Sequence, residues 1–254
     1  MRGMTAHLTI LTGASRGLGL ALAQQLLQPG DTLLGLSRHI NNGLVAQAHE
    51  QGATLLQWSQ DLADGAGAAL RLAEWLAGQP ADRFASATLI NNAGVIPRIA
   101  PLSEADAEDL AHALRVGLEA PMLLTAAFLK TTGTWPVPRK VLNISSGLGR
   151  RPMASQAGYC AAKAGMDHFT RCLALEEELK PNGARVCALA PGVIDTAMQV
   201  QLRAASEGDF PDRDRFIGLQ EEGLLSSPEQ AATRVLAWLQ RPDFGDLPVA
   251  DVRD

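Results

Sequence analysis

Short apolar, β-branched runs alternate with stretches of helical periodicity along almost the whole chain. Residues 8–12 (Leu-Thr-Ile-Leu-Thr) read as a strand that closes on a glycine-rich turn, and a helical pattern over 17–28 then runs to Pro29-Gly30. The same alternation predicts strands at Thr32–Leu36, Thr54–Trp58 and Ala87–Asn91 and helices over 43–51 and 66–78. A long helical region follows from about 103 to 130. After it come strand Lys140–Ser145, a helix over about 155–180, strand Arg185–Ala190, a polar irregular stretch, a helix over 228–240 and a last strand near 247–251. Strands that are each followed by a helix need crossover connections, so they pair in parallel. Their near-continuous apolar character says that both sheet faces are covered. The expected fold is α/β: a Rossmann-type doubly wound parallel sheet of seven strands, order 3-2-1-4-5-6-7, with helices on both faces.

No internal repeat or linker-like segment divides the chain, so residues 1–254 read as one domain. The candidate mobile segment is 197–227, a cover for whatever the sheet binds, where Ser206-Glu207-Gly208-Asp209 and Pro211-Asp212-Arg213-Asp214 separate isolated apolar residues. A formal net charge of −5, with scattered Lys and Arg, gives no footprint for nucleic acid. Cys160, Cys172 and Cys187 are odd in number and form no Cys-x-x-Cys pair, which argues against a disulfide framework and for a reducing cytoplasm. The start, Met-Arg-Gly-Met-Thr-Ala-His, enters an apolar run too short for a signal sequence, and no stretch of eighteen apolar residues suggests a membrane span. His7, His39, His49, His112 and His168 lack ligand spacing, so no metal is expected.

The turn Thr12-Gly13-Ala14-Ser15-Arg16-Gly17-Leu18-Gly19 lies between the first strand and the first helix. Glycines there let the backbone approach a pyrophosphate, whose charge meets free N–H groups and the positive end of the helix dipole. A plain tight turn is the alternative; the position after the first strand favours the cofactor. The second strand ends Leu36-Ser37-Arg38. An NAD site usually places a carboxylate there for the ribose 2′-hydroxyl, whereas Ser37 and Arg38, with Arg16 in the glycine turn, suit the 2′-phosphate of NADP(H). Two solvated surface arginines are the competing reading.

Tyr159 is the only tyrosine, and Lys163 follows four residues later on one helix face. A phenol that exchanges a proton with a carbonyl or alcohol needs a nearby cation, and Lys163 is expected to lower its pKa. Ser146, in Asn143-Ile144-Ser145-Ser146-Gly147, emerges at the carboxyl edge of the sheet, where it can hydrogen-bond a substrate oxygen. A Tyr and a Lys four apart are by themselves often an ordinary helix pair. Their company gives them weight.

With these pieces in place the sequence resembles the short-chain dehydrogenase/reductase family over nearly its whole length. The resemblance is carried by Thr12 to Gly19, Asp61-Leu62, Asn91-Asn92-Ala93-Gly94, Asn143 to Ser146, Tyr159-Cys-Ala-Ala-Lys163 and Pro191-Gly192-Val193-Ile-Asp-Thr196, in the family's order. It implies that Ser146, Tyr159 and Lys163 are catalytic. It also implies that Asp61 meets the adenine, that Asn91 to Gly94 line the cofactor cleft, and that Pro191 to Thr196 hold the nicotinamide carboxamide. One position departs: the family usually carries a catalytic Asn within Val-Asn-Leu, where this chain reads Val116-Gly117-Leu118. In the family that Asn holds a water linking the lysine to solvent; Gly117 can keep a helix irregularity and leave space for water.

A narrower resemblance, to sepiapterin reductases and bacterial benzil reductases, is carried by Ala120-Pro-Met, Ala190 to Gln199, Asp214-Arg-Phe-Ile217 and Glu221-Glu222-Gly223. It implies reduction of bulky or aromatic ketones and diketones, although substrate choice diverges readily on one fold. Met198, Leu202, Phe210 and Phe216 are the candidate substrate contacts, while Trp58, Trp75, Trp135 and Trp238 read as packing groups. The resemblance also implies a homodimer through the long helices around 103–130 and 155–180; packing within one subunit is the alternative. Against the reductase stands a nucleotide-binding sensor or scaffold with impaired chemistry, supported only by Gly117. Steroid or sugar oxidation on the same machinery is a weaker third possibility.

Overall fold

The computed structural model describes residues 6–254, and Met1 to Thr5, part of the start weighed above as a signal sequence, lie outside them. Seven strands, β1 (His7–Thr12), β2 (Thr32–Ser37), β3 (Thr54–Ser59), β4 (Ser86–Asn91), β5 (Arg139–Ile144), β6 (Arg185–Ala190) and β7 (Val249–Asp251), form one sheet in the order β3-β2-β1-β4-β5-β6-β7. Every pairing is parallel, with Ile10 opposite Leu34 on one side and Leu89 on the other. The expected order is the observed one.

Each crossover supplies a helix with local reasons to start and stop. The helix α1 (Gly17–Leu26) begins at the glycine turn, and α2 (Asn42–Gln51) is capped by Asn41, whose side chain accepts from the N–H groups of Gly43 and Leu44. Gly52 ends α2 at φ 67°, a conformation glycine adopts without steric cost. The helix α3 (Gly65–Ala77) packs on α5 (Ala120–Thr132), while α1 packs on α9 (Pro228–Gln240) across the sheet. Two apolar cores result: Leu22, Leu142, Leu189 and Val235 on one face, and Leu8, Leu89, Leu124 and Phe128 on the other. Trp135 and Trp238 are buried in these cores, and Trp58 meets Trp75 edge to face at 6.0 Å.

Two elements differ from the sequence expectation. The predicted continuous helix over 103–130 is α4 (Ala107–Leu114), a π turn (Arg115–Glu119) and α5. Gly117 lies buried inside the π turn, where its missing side chain lets the irregular backbone pack on α6 (Ala157–Glu178). The segment expected to be irregular contains α7 (Ala197–Arg203) and α8 (Arg213–Glu221), which pack on each other. A bridge between Ile194 and Ser226 joins the two ends of this excursion. Its apolar residues build a third cluster in which Leu202, Phe210 and Phe216 meet Ile99. Among the described residues, no helix is long and apolar enough to cross a membrane.

Candidate active site

At the carboxyl edge of the sheet the loops after β1, β2, β4, β5 and β6 enclose a cleft of about 730 Å³. One end of it is the glycine turn. Gly13 and Gly17 sit at φ 74° and 54°, and a Cβ on Gly19 would lie 2.0 Å from the Gly13 carbonyl oxygen. The turn is pinned from two sides, since Gly13 N–H donates to Leu36 O at 2.7 Å and Asn41 Nδ2 donates to Ser15 O at 3.2 Å. Arg16, the N-cap of α1, makes no side-chain capping bond, so its side chain leaves the first N–H groups of that helix free among the described residues. Uncapped N–H groups behind a close-packed glycine turn fit a dinucleotide pyrophosphate. Arg16, Ser37 and Arg38 line the same end, with both guanidinium groups exposed and no carboxylate at the end of β2. Asp61 and Leu62 complete that wall.

The middle of the cleft is set by the ends of β1 and β4. Thr12 Oγ1 accepts from the N–H groups of Asn92 and Ala93 at 2.9 and 3.0 Å, and Asn92 Nδ2 donates to Thr12 O at 2.9 Å. Behind them runs a buried polar ladder: Asn91 donates to Thr125 and Asn143, and Asn143 donates to Thr170 on α6. The ladder ties β4 and β5 to α6, and so fixes the helix that carries Tyr159 and Lys163. Asn91 itself is 1% exposed and does not line the cleft; it braces Asn92, Ala93 and Gly94, which do.

Ser146, Tyr159 and Lys163 line the cleft together. Lys163, 4% exposed, donates to Ile144 O at 2.7 Å, and its Nζ lies 5.7 Å from the Tyr159 ring centre. Burial pushes its ammonium down to about 8, opposed by the charge of Asp167 one turn along α6. Burial also pushes the Tyr159 phenol up to about 12, and a hydrogen bond with Ser146 pulls the other way. Desolvation by burial is thus the largest influence on the phenol, and the Ser146 hydroxyl is the side chain that opposes it. Asp167, buried, accepts from Ser145 Oγ and lies 3.5 Å from Arg150 Nε.

Pro191, Gly192, Val193 and Thr196 form the wall after β6, with Gly192 at φ 83°. Met198, Leu202 and Phe216 line the cleft as candidate substrate contacts. Phe210 does not. It is 0% exposed and stacks on Phe216 at 5.6 Å in the cluster beneath the cover, so it supports the wall from behind. The sequence reading did not single out Gln156, three residues before Tyr159, as part of the site; both it and Gln199 are buried and line the cleft. The signal for Gln156 was its spacing from the tyrosine, one turn of helix. Among the described residues, no group of three or more His, Cys, Asp or Glu side chains is placed to hold a metal ion.

Comparison with known proteins gives a family model described as short chain dehydrogenase, which matches residues 7–207. The benzil reductase ((S)-benzoin forming) of Bacillus cereus is 40% identical over 235 residues, covering 92% of this chain and 94% of that one. Sepiapterin reductase of Xenopus tropicalis is 35% identical over 246 residues, covering 92% and 91%. Among solved structures, that of the KRED1-Pglu enzyme superposes with a TM-score of 0.80 at 27% identity, covering 95% of this chain and 99% of that one.

Proposed function

Because the chain belongs to the short-chain dehydrogenase family of oxidoreductases, we propose that it reduces a ketone or diketone to an alcohol with NADPH. The observation that carries this reading is one cleft shared by the glycine turn, Arg38, and the trio Ser146, Tyr159 and Lys163. The names of the two reductase relatives support a carbonyl substrate, and the apolar wall of Met198, Leu202 and Phe216 supports a bulky or aromatic one.

When bound, the nicotinamide supplies the hydride. As the carbonyl carbon gains that electron pair, its π electrons move to oxygen, and the Tyr159 hydroxyl gives that oxygen its proton. The Tyr159 phenol, pushed up to about 12 by burial, is protonated at neutral pH and so has a proton to give. Ser146 hydrogen-bonds the same oxygen and orients it. Lys163, anchored on Ile144 O, places a cation beside the phenolate left behind until solvent returns the proton. At the other end, Arg16 and Arg38 grip the 2′-phosphate, with Ser37 in place of a repelling carboxylate. The segment 197–227 acts as the cover of the substrate half. We also propose a homodimer through α5 and α6, supported by Met122 and Leu175, which expose apolar surface there.

Consumption of NADPH with an aromatic 1,2-diketone tests the reading. A broad panel of carbonyls and alcohols that gives no turnover with either cofactor overturns it. A nucleotide-binding sensor is then the second reading, favoured by the tight site of Gly117, where a Cβ would lie 3.3 Å from that of Ala162.

A further inference from the structure

Ser146 enters the cleft at the start of a tight turn, and the end of that turn brings in a cation. After β5 the chain closes one 3-10 turn over Gly147–Gly149, with Leu148 N–H donating to Ser146 Oγ at 3.2 Å. Two arginines follow, and the backbone N–H groups of both donate back to Gly147 O, at 3.2 and 3.0 Å. Their side chains part. Arg150 turns toward α6 and β7, where its Nε lies 3.5 Å from the Asp167 carboxylate and its Nη2 donates to Ala250 O. Arg151 lines the cleft, exposed, with its guanidinium laid against Gly147: a Cβ on that glycine would lie 3.1 Å from Arg151 Nη2. Gly147 thus leaves the room that the guanidinium occupies, one residue from Ser146.

No carboxylate of the chain claims that charge. Among the described residues neither Arg151 nor Arg215, which lines the same cleft from α8, forms an ion pair. The carboxylates of the lining are Asp61, beside Leu62 at the dinucleotide end, and Asp251, which accepts two bonds of 2.6 Å from the Arg253 guanidinium. The other cations are placed as well, since Arg16 and Arg38 face the dinucleotide end and Lys163 is bonded to Ile144 O. In a chain of net charge −5, the substrate half therefore sets two unpaired guanidinium groups among apolar walls.

A cleft lined by one sign of charge focuses its field on what enters it. The guanidinium is a planar fork that matches the two oxygens of a carboxylate, and the pair strengthens as a bound molecule displaces water around it. Ser146 addresses the reacting oxygen, so an anion held by Arg151 sits on the same molecule, a few bonds away. We propose that the substrate is an oxo acid with an apolar body: Ser146 and Tyr159 take its carbonyl oxygen, Arg151 takes a carboxylate near it, and Arg215 adds to the attraction from the cover. The proposal deepens the carbonyl reductase reading above and rests on it.

Two matched pairs test it, benzoylformate with its methyl ester and 3-benzoylpropanoate with its methyl ester, which set the carboxylate directly beside the carbonyl or two methylenes away. In Arg151→Gln the acid-to-ester ratio of kcat/KM is expected to fall about tenfold or more in at least one pair, roughly 1.4 kcal/mol, mainly through the KM of the acid. Arg151→Lys should keep part of the preference and Arg215→Gln should lose less of it, with NADPH affinity and melting temperature unchanged. Ratios that do not move in either pair overturn the proposal, as does a parent that reduces the esters but not the acids. Loss of NADPH affinity at an unchanged ratio makes Arg151 a cofactor contact, and equal loss on acid and ester with a lowered melting temperature makes it structural; either result overturns the proposal. If the parent turns over none of these ketones with either cofactor, the reductase reading fails separately. Calorimetric titration with the two acids, in the presence of NADP+, then decides: weaker binding by Arg151→Gln supports the assignment, and equal affinity or no binding overturns it.

Discussion

Gly117 is the position where packing and chemistry make opposite demands, and Gly117→Ala measures the first of them. The residue is buried in the π turn, and a Cβ there would approach the Ala162 Cβ to 3.3 Å, inside the usual carbon–carbon contact distance of about 3.5–4.0 Å. Two effects compete. Replacing glycine by alanine gains about 0.4–1 kcal/mol by restricting the unfolded chain, while overfilling a packed contact costs about 1–3 kcal/mol. The balance is a net loss of about 1 kcal/mol, read as a lowered urea midpoint. Ala162→Gly removes the opposing methyl, so the double variant should be more stable than the sum of the single changes predicts, by about 0.5 kcal/mol or more. Additive midpoints would refute the contact. Ala162 precedes Lys163, so a displaced α6 carries the lysine and Tyr159 with it. Gly117→Asn, which restores the residue usual in the family but adds three more side-chain atoms, should therefore lower turnover, and Gly117→Asn with Ala162→Gly should recover part of it. A tenfold gain from Gly117→Asn alone would show instead that the natural protein is impaired.

At the far end of the cleft, Arg38→Ala should weaken NADPH binding about ten- to hundredfold, the worth of a charge-assisted contact of about 1.5–3 kcal/mol, and leave NADH nearly unchanged; fluorescence titration reads both. Equal affinities of the parent for the two cofactors would remove the 2′-phosphate assignment. Tyr159→Phe should cut turnover at least about 10²-fold with NADPH affinity intact, and parental turnover in that variant on a confirmed substrate would end the proposed chemistry. Stability should depend on alkaline pH in a set direction. Lys163 releases its proton near 8 when folded and near 10.5 when unfolded, so between those values the unfolded chain holds the extra proton and stability rises with pH. Tyr159 acts in the opposite sense, stabilising below 10 and losing that contribution as pH climbs to about 12. From pH 8 to 10 the lysine's share is on the order of 2 kcal/mol, and Lys163→Met should flatten the rise in urea midpoint; an undiminished rise would assign it to other groups.

Sheet order and cleft were legible in the sequence because each depends on local, repeated signals. Runs such as Leu33-Leu34 and Leu89-Ile90 are apolar on both faces, and crossover geometry leaves few ways to arrange them. Features that turn on three-dimensional neighbours were not legible. The helices α7 and α8 are short, with apolar and polar residues mixed, and each owes its place to one or two anchors, Leu202 and Phe216, whose value appears only once Ile99 and Phe210 are beside them. Phe210 and Phe216 look alike in sequence, yet one lines the cleft and the other is sealed behind it. The π turn inserts its irregularity without breaking the apolar pattern, so periodicity alone carried one helix through it. Gln156 is the sharpest case. A polar residue at a helix start reads as an ordinary cap, and only the fold reveals that it caps nothing and lies buried with no partner among the described residues. Residues that satisfy a local rule are legible because the rule can be applied without the fold. Those that break one, as Gly117 and Gln156 do, become visible only when the neighbours that make the breach costly are known, and both lie on the elements that hold the proposed chemistry.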